Sequence, residues 1–195
     1  MITIVLIHPG STLFDIEQRI QGNLSVPLNP MGKEQNLVLA DQLKDLHFTA
    51  IYAPETEPDW ETAQFLASQW KVPAVAVNCM KNVNMGLWQG METDELHKCQ
   101  PTVFKQGKED PFSVSAPAGE SLQDAQARVT QAIKKIAKKW DDNTAVGIVV
   151  SDPMAGLIRF VLNKKQGEYP DLWNLSDSQG KWESVSVAKE ELSKL

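Results

Sequence analysis

Short apolar runs recur along the chain at intervals that suit strands. Residues Ile2 to Ile7 and Thr144 to Val150 are almost unbroken runs of β-branched and other apolar residues, as in strands that are buried on both faces. Phe48 to Ala53 and Val72 to Val77 are predicted as two further strands. The sequence therefore predicts at least four strands.

Helical signals lie between these strands. Asn29-Pro30 is an N-cap followed by proline at the first helical position, and predicts a helix over about residues 30 to 45. Thr56 is predicted to cap a second helix, and apolar residues from Glu120 to Trp140 keep a helical period. Asp152-Pro153 opens another helix. Strands that alternate with helices predict a three-layer α/β/α sandwich with a mostly parallel central sheet.

One segment and the tail depart from this alternation. Residues 79 to 118 are interrupted by proline and glycine and predict a loop-rich excursion, a lid or a cap. The tail around Asp177 to Val187 predicts a terminal hairpin. No repeat or low-complexity tract is present, and 195 residues fit one domain over the whole length, 1–195.

Charge and composition exclude several classes of function. The formal net charge is -6 and the isoelectric point is about 5.1, which oppose binding to nucleic acid or to an anionic membrane. Cys79 and Cys99 lack metal or disulfide spacing, so neither a metal nor a cofactor is expected. The apolar start is too short to span a bilayer and lacks the basic region of a signal peptide, which favours a cytoplasmic location.

Ligands of parallel sheets bind beyond the carboxyl ends of the strands. That rule places His8, residues 54–58 and Ser151-Asp152 near one crevice. The segments around these residues also carry a family resemblance. The opening LIHPGSTLFDIEQRIQGNLSVPLNPMGKEQ resembles, without a gap, the start of histidine phosphatases, and matches that family at Gln21-Gly22, Pro27-Leu28, Gly32 and Gln35.

Later segments extend this resemblance over nearly the whole chain, in the family's order: IYAPETEPDWETAQFLA, NVNMGLWQGMETDEL, PAGESLQDAQARV and VGIVVSDPMAGLIRFVL. The resemblance implies a phosphoglycerate mutase-like fold. It also implies an ancestral chemistry in which a histidine after the first strand attacks phosphorus, two arginines and a second histidine bind the phosphoryl oxygens, and an acidic residue protonates the leaving group.

Each position that this chemistry needs is occupied by another residue type. The Arg-His-Gly turn of the family falls on His8, Pro9 and Gly10, so the nucleophile is replaced by a residue without a nucleophilic side chain or a backbone N–H. The second arginine falls on Pro58 and the acidic residue on Asn82. The second histidine falls on Asp152. The net charge of the pocket, roughly +2 to +3 in the family, thereby becomes about -1 in this chain.

Four interpretations follow. The first is a catalytically inactive protein, a pseudoenzyme that binds a protein partner or a small ligand. The second is a divergent phosphatase or mutase in which His8 has become the nucleophile. The third is a hydrolase that uses a His8-Asp152 pair with the Ser11 or Ser151 hydroxyl. The fourth is oligomerisation through the sheet edge or through residues 79–118.

Overall fold

A computed structural model of the chain describes residues 1–163, 169–173 and 178–195. Its central sheet has five strands in the order β3-β2-β4-β1-β5. The strands are β1 (Ile2–Ile7), β2 (Phe48–Ala53), β3 (Ala74–Ala76), β4 (Ala145–Val149) and β5 (Trp182–Val187). The first four run parallel, and β5 pairs antiparallel with β1. The fold class is therefore the predicted mostly parallel α/β sheet.

Helices cover both faces of this sheet. They are α1 (Leu13–Ile16), α2 (Pro30–Gln42), α3 (Asp59–Trp70), α4 (Thr93–Cys99), α5 (Pro101–Glu109), α6 (Leu122–Ala137), α7 (Met154–Leu162) and α8 (Lys189–Lys194). Val5 and Ile7 pack on the side of α2 and α3, whereas Ile4 and Leu6 pack on the side of α6 and α7. The unbroken apolar run of β1 is thus explained by burial on both faces.

The start of α2 follows the predicted capping. The side chain of Asn29 accepts a hydrogen bond of 2.7 Å from the Gly32 N–H, and Pro30 occupies the first turn. The prediction that Thr56 caps α3 is wrong. That helix begins at Asp59 after Pro58, with no side-chain cap, and Thr56 contributes only its backbone carbonyl, to Trp60.

Residues 79–118 contain more regular structure than expected. Pro101 lies in the first turn of α5, where its missing N–H costs nothing, so it starts a helix and does not interrupt one. Gly107 lies inside α5 at a position that needs glycine. A Cβ there would lie 2.6 Å from the Trp173 ring, closer than van der Waals contact allows. Leu96 and Trp88 are buried in the main core, so this segment packs on the sheet domain.

The predicted terminal hairpin is replaced by a different pairing. Asp177 lies outside the described residues, and Trp182–Val187 pairs along its length with β1. An antiparallel partner for the apolar β1 buries Val187 and closes that side of the core. In the part of the chain that the structure describes, no helix has both the length and the apolar character needed to cross a membrane.

Candidate functional site

A crevice opens where the parallel strands β1 and β4 end. Its walls comprise His8, Pro9, Gly10, Asp15, Arg19, Gln21, Pro58, Ser151, Asp152, Ser178 and Gln179. The cavity volume is about 30 Å³, enough for a few waters. The crevice lies at the carboxyl edge of the sheet, where the sequence had placed it.

His8 and Asp152 meet in this crevice because their strands are neighbours. Ile7 is in register with Val149, so the residues that follow both strands emerge side by side. His8 Nδ1 lies 3.3 Å from Asp152 Oδ2, with side-chain exposures of 11% and 19%. Among the described residues, no atom completes a hydrogen bond with that nitrogen. The contact is therefore electrostatic rather than a well-aligned hydrogen bond.

The Asp152 carboxyl is stabilised in its charged form. Burial is the largest single influence and would raise its pKa, but His8 and weaker contacts together hold the pKa of Asp152 below its ordinary value. The Ser178 hydroxyl and the Gly156 N–H, 3.3 Å from Oδ1, add to this effect. Asp152 is therefore an anion at neutral pH, at the centre of the crevice.

A second buried carboxyl lies behind Ser151. Asp59 is 2% exposed, and its Oδ1 accepts a hydrogen bond of 2.7 Å from Ser151 Oγ. Burial raises the pKa of Asp59 to about 7, and the charge of Glu57 adds to the rise. The Ser151 hydrogen bonds and His8 oppose it. Asp59 therefore exchanges its proton near neutral pH rather than in the acidic range of an ordinary carboxyl.

Asn82 ties the Asp152 turn to the core. Its Nδ2 donates to the Asp152 carbonyl at 2.7 Å, and its Oδ1 accepts from the Met154 N–H at 3.2 Å. Arg128 supports Asn82 from behind through the Asn82 carbonyl at 3.2 Å. The amide therefore holds backbone groups of the turn, and unlike a carboxylic acid it has no proton to give to a leaving group.

Comparison with known protein families identifies the family of this chain. A family model of the histidine phosphatase superfamily (branch 1) matches residues 4–191. The chain belongs to the histidine phosphatase superfamily. The family resemblance drawn from the motifs is thereby confirmed.

Relatives in the superfamily carry phosphatase and mutase names. Phosphoserine phosphatase 1 of Hydrogenobacter thermophilus is 26% identical over 157 residues, which cover 80% of this chain and 74% of that protein. Phosphoglycerate mutase-like protein 4 of Arabidopsis thaliana is 30% identical over 139 residues, 70% of this chain. The match spans only 60% of that protein's length.

Solved structures of the superfamily confirm the fold. YhfR of Bacillus stearothermophilus superposes with a TM-score of 0.81 at 20% identity, covering 96% of this chain and 92% of that one. A mycobacterial glucosyl-3-phosphoglycerate phosphatase in complex with VO3 gives a TM-score of 0.82 at 19% identity, with coverage of 94% and 90%. Similarity at this level of identity establishes a common architecture.

Pro9 and Pro58 fall by resemblance on a histidine and an arginine of this superfamily, and both make structural contacts here. Pro9 follows His8 at the end of β1, and its carbonyl accepts a hydrogen bond of 3.0 Å from the Gly180 N–H. Pro58 precedes α3, and its carbonyl accepts from the Thr62 N–H at 3.1 Å. Neither side chain can attack phosphorus or bind a phosphoryl oxygen.

Arg19 remains a cation of the crevice wall, but its charge is already paired. Its guanidinium lies 2.6 Å from Glu17 and 3.2 Å from Glu92. It also donates to the Gly90 carbonyl at 2.8 Å. The guanidinium therefore joins α1 to the segment before α4, and its donors are directed to that structural role.

The structure separates the two serine candidates. Ser11 is 3% exposed, and its hydroxyl donates to the Thr12 carbonyl and accepts from Asn29 Nδ2 at 3.1 Å. It therefore belongs to the network that caps α2. Ser151 lines the crevice instead, so of the two candidates it is the one that shares the crevice with the His8-Asp152 pair, together with the Ser178 hydroxyl.

Sequence reasoning missed Asp59 as a buried carboxyl of this site. The pattern of α3 contained a signal, since Asp59, Thr62, Ala63 and Leu66 follow the i, i+3, i+4, i+7 spacing of a buried face. All four are buried. In the described residues, no group of three or more His, Cys, Asp or Glu side chains is arranged to hold a metal ion.

Proposed function

We propose that this chain has lost phosphohistidine chemistry and acts by binding a protein partner or a small ligand without a phosphate group. The observation that carries the proposal is Pro9. At the end of β1, where the superfamily's nucleophilic histidine falls by resemblance, the side chain is a saturated ring and the backbone has no N–H. A phosphoenzyme intermediate has no atom on which to form at this position.

The charge of the crevice supports the same proposal. Asp152 is held as an anion, and the buried Asp59 is partly ionised at neutral pH. Arg19 is paired with two glutamates. Two unit charges 4 Å apart interact by about 4 kcal/mol at an effective dielectric near 20, so a phosphate facing Asp152 meets repulsion where catalysis needs attraction.

The experiment compares the purified chain with a Pro9→Ala, His8→Ala double variant. With p-nitrophenyl phosphate and phosphoserine as substrates, we expect both proteins to release phosphate at the same background rate. Hydrolysis by the native chain tenfold or more above the double variant contradicts the proposal. Isothermal titration with inorganic phosphate gives a second readout, in which no heat of binding is expected.

A hydrolase is the second candidate, and the presence of a His-Asp contact and a Ser-Asp hydrogen bond in one crevice favours it. Asp152 lies against the His8 ring, and Ser151 Oγ contacts Asp59 at 2.7 Å. In an acyl transfer, Ser151 Oγ would attack an ester carbonyl while its proton passes to Asp59, whose pKa of about 7 suits a base. His8 would protonate the departing alkoxide, and water would then release the acyl group.

Esterase assays with p-nitrophenyl acetate test this candidate. A hydrolase predicts activity that falls by about 100-fold or more in Ser151→Ala and in His8→Ala. Activity that is unchanged in both variants excludes it.

Mass spectrometry after incubation with acetyl phosphate tests the interpretation as a divergent phosphatase, since phosphate found on His8 would make that residue the nucleophile.

A further inference from the structure

We propose that this chain binds a free α-amino acid as a zwitterion in a second cavity beside the crevice, with the ammonium group at Asp152 and the carboxylate at Lys181. This molecule would be the small phosphate-free ligand of the proposed function, on which the assignment rests. Three features of the cavity support it: its place beside His8, an anion and a free cation on opposite sides of that residue, and the net charge of its wall.

The second cavity lies on the side of His8 that faces β5 and α7. Its volume is about 260 Å³, near the lower end of the range for small-ligand sites. His8, Asp152 and Ser178 line both this cavity and the crevice, so the two spaces adjoin. His8, which is 9% exposed, therefore stands in the wall between them.

The order of the strands explains why the two proposed anchors flank His8. In the sheet, β1 lies between β4 and β5. Asp152 follows β4, and Lys181 precedes β5, where its carbonyl accepts a hydrogen bond of 2.9 Å from the His8 N–H. Neighbouring strands are about 4.8 Å apart, so the backbones of the two anchors lie about two strand spacings apart. A small molecule with two opposite charges suits a gap of this size.

The Asp152 carboxylate has room for one more hydrogen-bond donor. The Gly156 N–H donates to its Oδ1 at 3.3 Å, and the Ser178 hydroxyl also donates to it. His8 Nδ1 lies 3.3 Å from Oδ2, but among the described residues it completes no aligned hydrogen bond. A carboxylate accepts up to about four hydrogen bonds, and a partly buried charge is costly to leave without partners. An ammonium group, which only donates, is the complementary ligand group.

Lys181 is the cation of the wall that remains available. It is exposed, and no described residue pairs with its ammonium group. The other cation of the wall is engaged, since Arg159 Nη1 lies 3.3 Å from Glu183 Oε1. A ligand carboxylate that enters the cavity therefore meets Lys181 as its free partner.

The net charge of the wall favours a zwitterion over a simple anion or cation. The wall carries the carboxylates of Asp152, Asp171 and Glu183 and the cations of Arg159 and Lys181. Phosphate or a dicarboxylate would add negative charge to this excess of carboxylates, and a simple amine would leave Lys181 without a partner. An amino acid adds no net charge and sets each of its charged groups against an opposite one.

Trp182 indicates the kind of amino acid side chain. It lines the cavity and is 39% exposed. Its indole N–H donates to Gln42 Oε1 at 3.1 Å, so the ring offers the cavity mainly apolar surface. An aliphatic side chain gains by packing on that surface, and L-leucine is therefore the probe.

The test is isothermal titration of the native chain with L-leucine and with two analogues of similar shape. L-leucinamide lacks the carboxylate, and 4-methylpentanoate lacks the ammonium group. We expect L-leucine to bind with a Kd below about 1 mM. Each analogue should bind at least about tenfold more weakly, because each leaves one charged anchor without its partner.

Two variants assign the anchors. Lys181→Gln should weaken L-leucine at least about tenfold and leave L-leucinamide within about twofold, because that analogue has no carboxylate to lose. Asp152→Asn should weaken both compounds. Lys138→Gln is the matched control, at an exposed lysine that ends α6, and should bind L-leucine as the native chain does. Circular dichroism verifies the fold of each variant.

The outcomes separate this assignment from the proposed function. The assignment is overturned if L-leucine gives no binding up to about 10 mM, if the three compounds bind equally, or if Lys181→Gln binds L-leucine as well as Lys138→Gln does. A chain that neither binds L-leucine nor hydrolyses p-nitrophenyl phosphate refutes the amino acid and leaves the proposed function standing. Hydrolysis by the native chain refutes the proposed function whether or not L-leucine binds.

Discussion

Two neighbouring regions meet at the end of β1 and differ in how they relate to the superfamily. The crevice contains Pro9, Pro58 and Asp152, none of which can perform the chemistry that resemblance assigns to its position. The adjoining frame, from Gly10 to Gln35, retains the superfamily's glycines and its pattern of Gln, Pro and Leu residues. The difference lies in what each region's residues contact.

In the frame, backbone touches backbone. A Cβ on Gly10 would lie 2.2 Å from the Gly32 carbonyl oxygen, and a Cβ on Gly32 would lie 2.2 Å from the Ser11 carbonyl oxygen. The Gln35 side chain accepts a hydrogen bond of 2.8 Å from the Ser11 N–H. These contacts hold the turn whatever the crevice binds, so the comparison separates the requirements of the fold from those of the chemistry.

The largest expected effect is at the frame. Gly32→Ala would normally stabilise a helix by about 1 kcal/mol, but here the methyl group meets the Ser11 backbone, which cannot rotate away. We expect a loss of about 5 kcal/mol in the free energy of unfolding, measured by urea denaturation. Lys33→Ala, at the exposed neighbour in the same turn, is the control and should change stability by less than about 0.5 kcal/mol. A stabilised Gly32→Ala would refute the close approach.

The next effect is at the crevice and has the opposite sign. The pKa of Asp59 rises from 3.8 to about 7 on folding, so the folded chain binds more protons than the unfolded chain between these values. Its contribution to stability therefore falls as pH rises from about 4 to 7, by about 4 kcal/mol at most. Asp59→Asn keeps an acceptor for Ser151 and should be more stable than the native chain at pH 8, with a difference that shrinks steadily as the pH falls towards 4.

Denaturation at several pH values measures this difference. Glu55→Gln removes an exposed carboxyl near Asp59 and is the matched control, for which a nearly constant difference is expected across the same range. If Asp59→Asn is less stable than the native chain at pH 8, burial does not oppose the ionisation of Asp59 and does not raise its pKa.

The smallest effect is expected for Pro9→His. The new imidazole restores one side chain, but Pro58 and Asn82 still offer no cation or acid, and Asp152 still repels phosphate. Phosphatase activity should stay within about twofold of background, and the melting temperature should move by only a few degrees. Activity well above background would show that the nucleophile alone was missing, and would weaken the charge argument.

Sequence patterns predicted β1, β2, β4 and α2. The buried strands are visible as apolar runs, and the helix is visible in the spacing of its apolar residues and in its N-cap. The patterns failed at Thr56, where Pro58 precedes the helix without a side-chain cap. They also treated the prolines of residues 79–118 as breaks, although Pro101 begins α5. Whether a proline interrupts or starts a helix depends on which N–H groups need partners, and neighbouring residues alone do not reveal that.

The sequence by itself determined that a proline follows His8, at the position to which the family resemblance assigns the nucleophilic histidine, because the absence of a nucleophilic atom is a property of the residue. It also placed His8 and Asp152 at one edge of the sheet, because parallel strands end on the same side. Only the tertiary structure decided that Ser151, rather than Ser11, shares the crevice with that pair. It alone showed Asp59 buried behind Ser151, since burial and pKa depend on packing between segments that are distant in the chain.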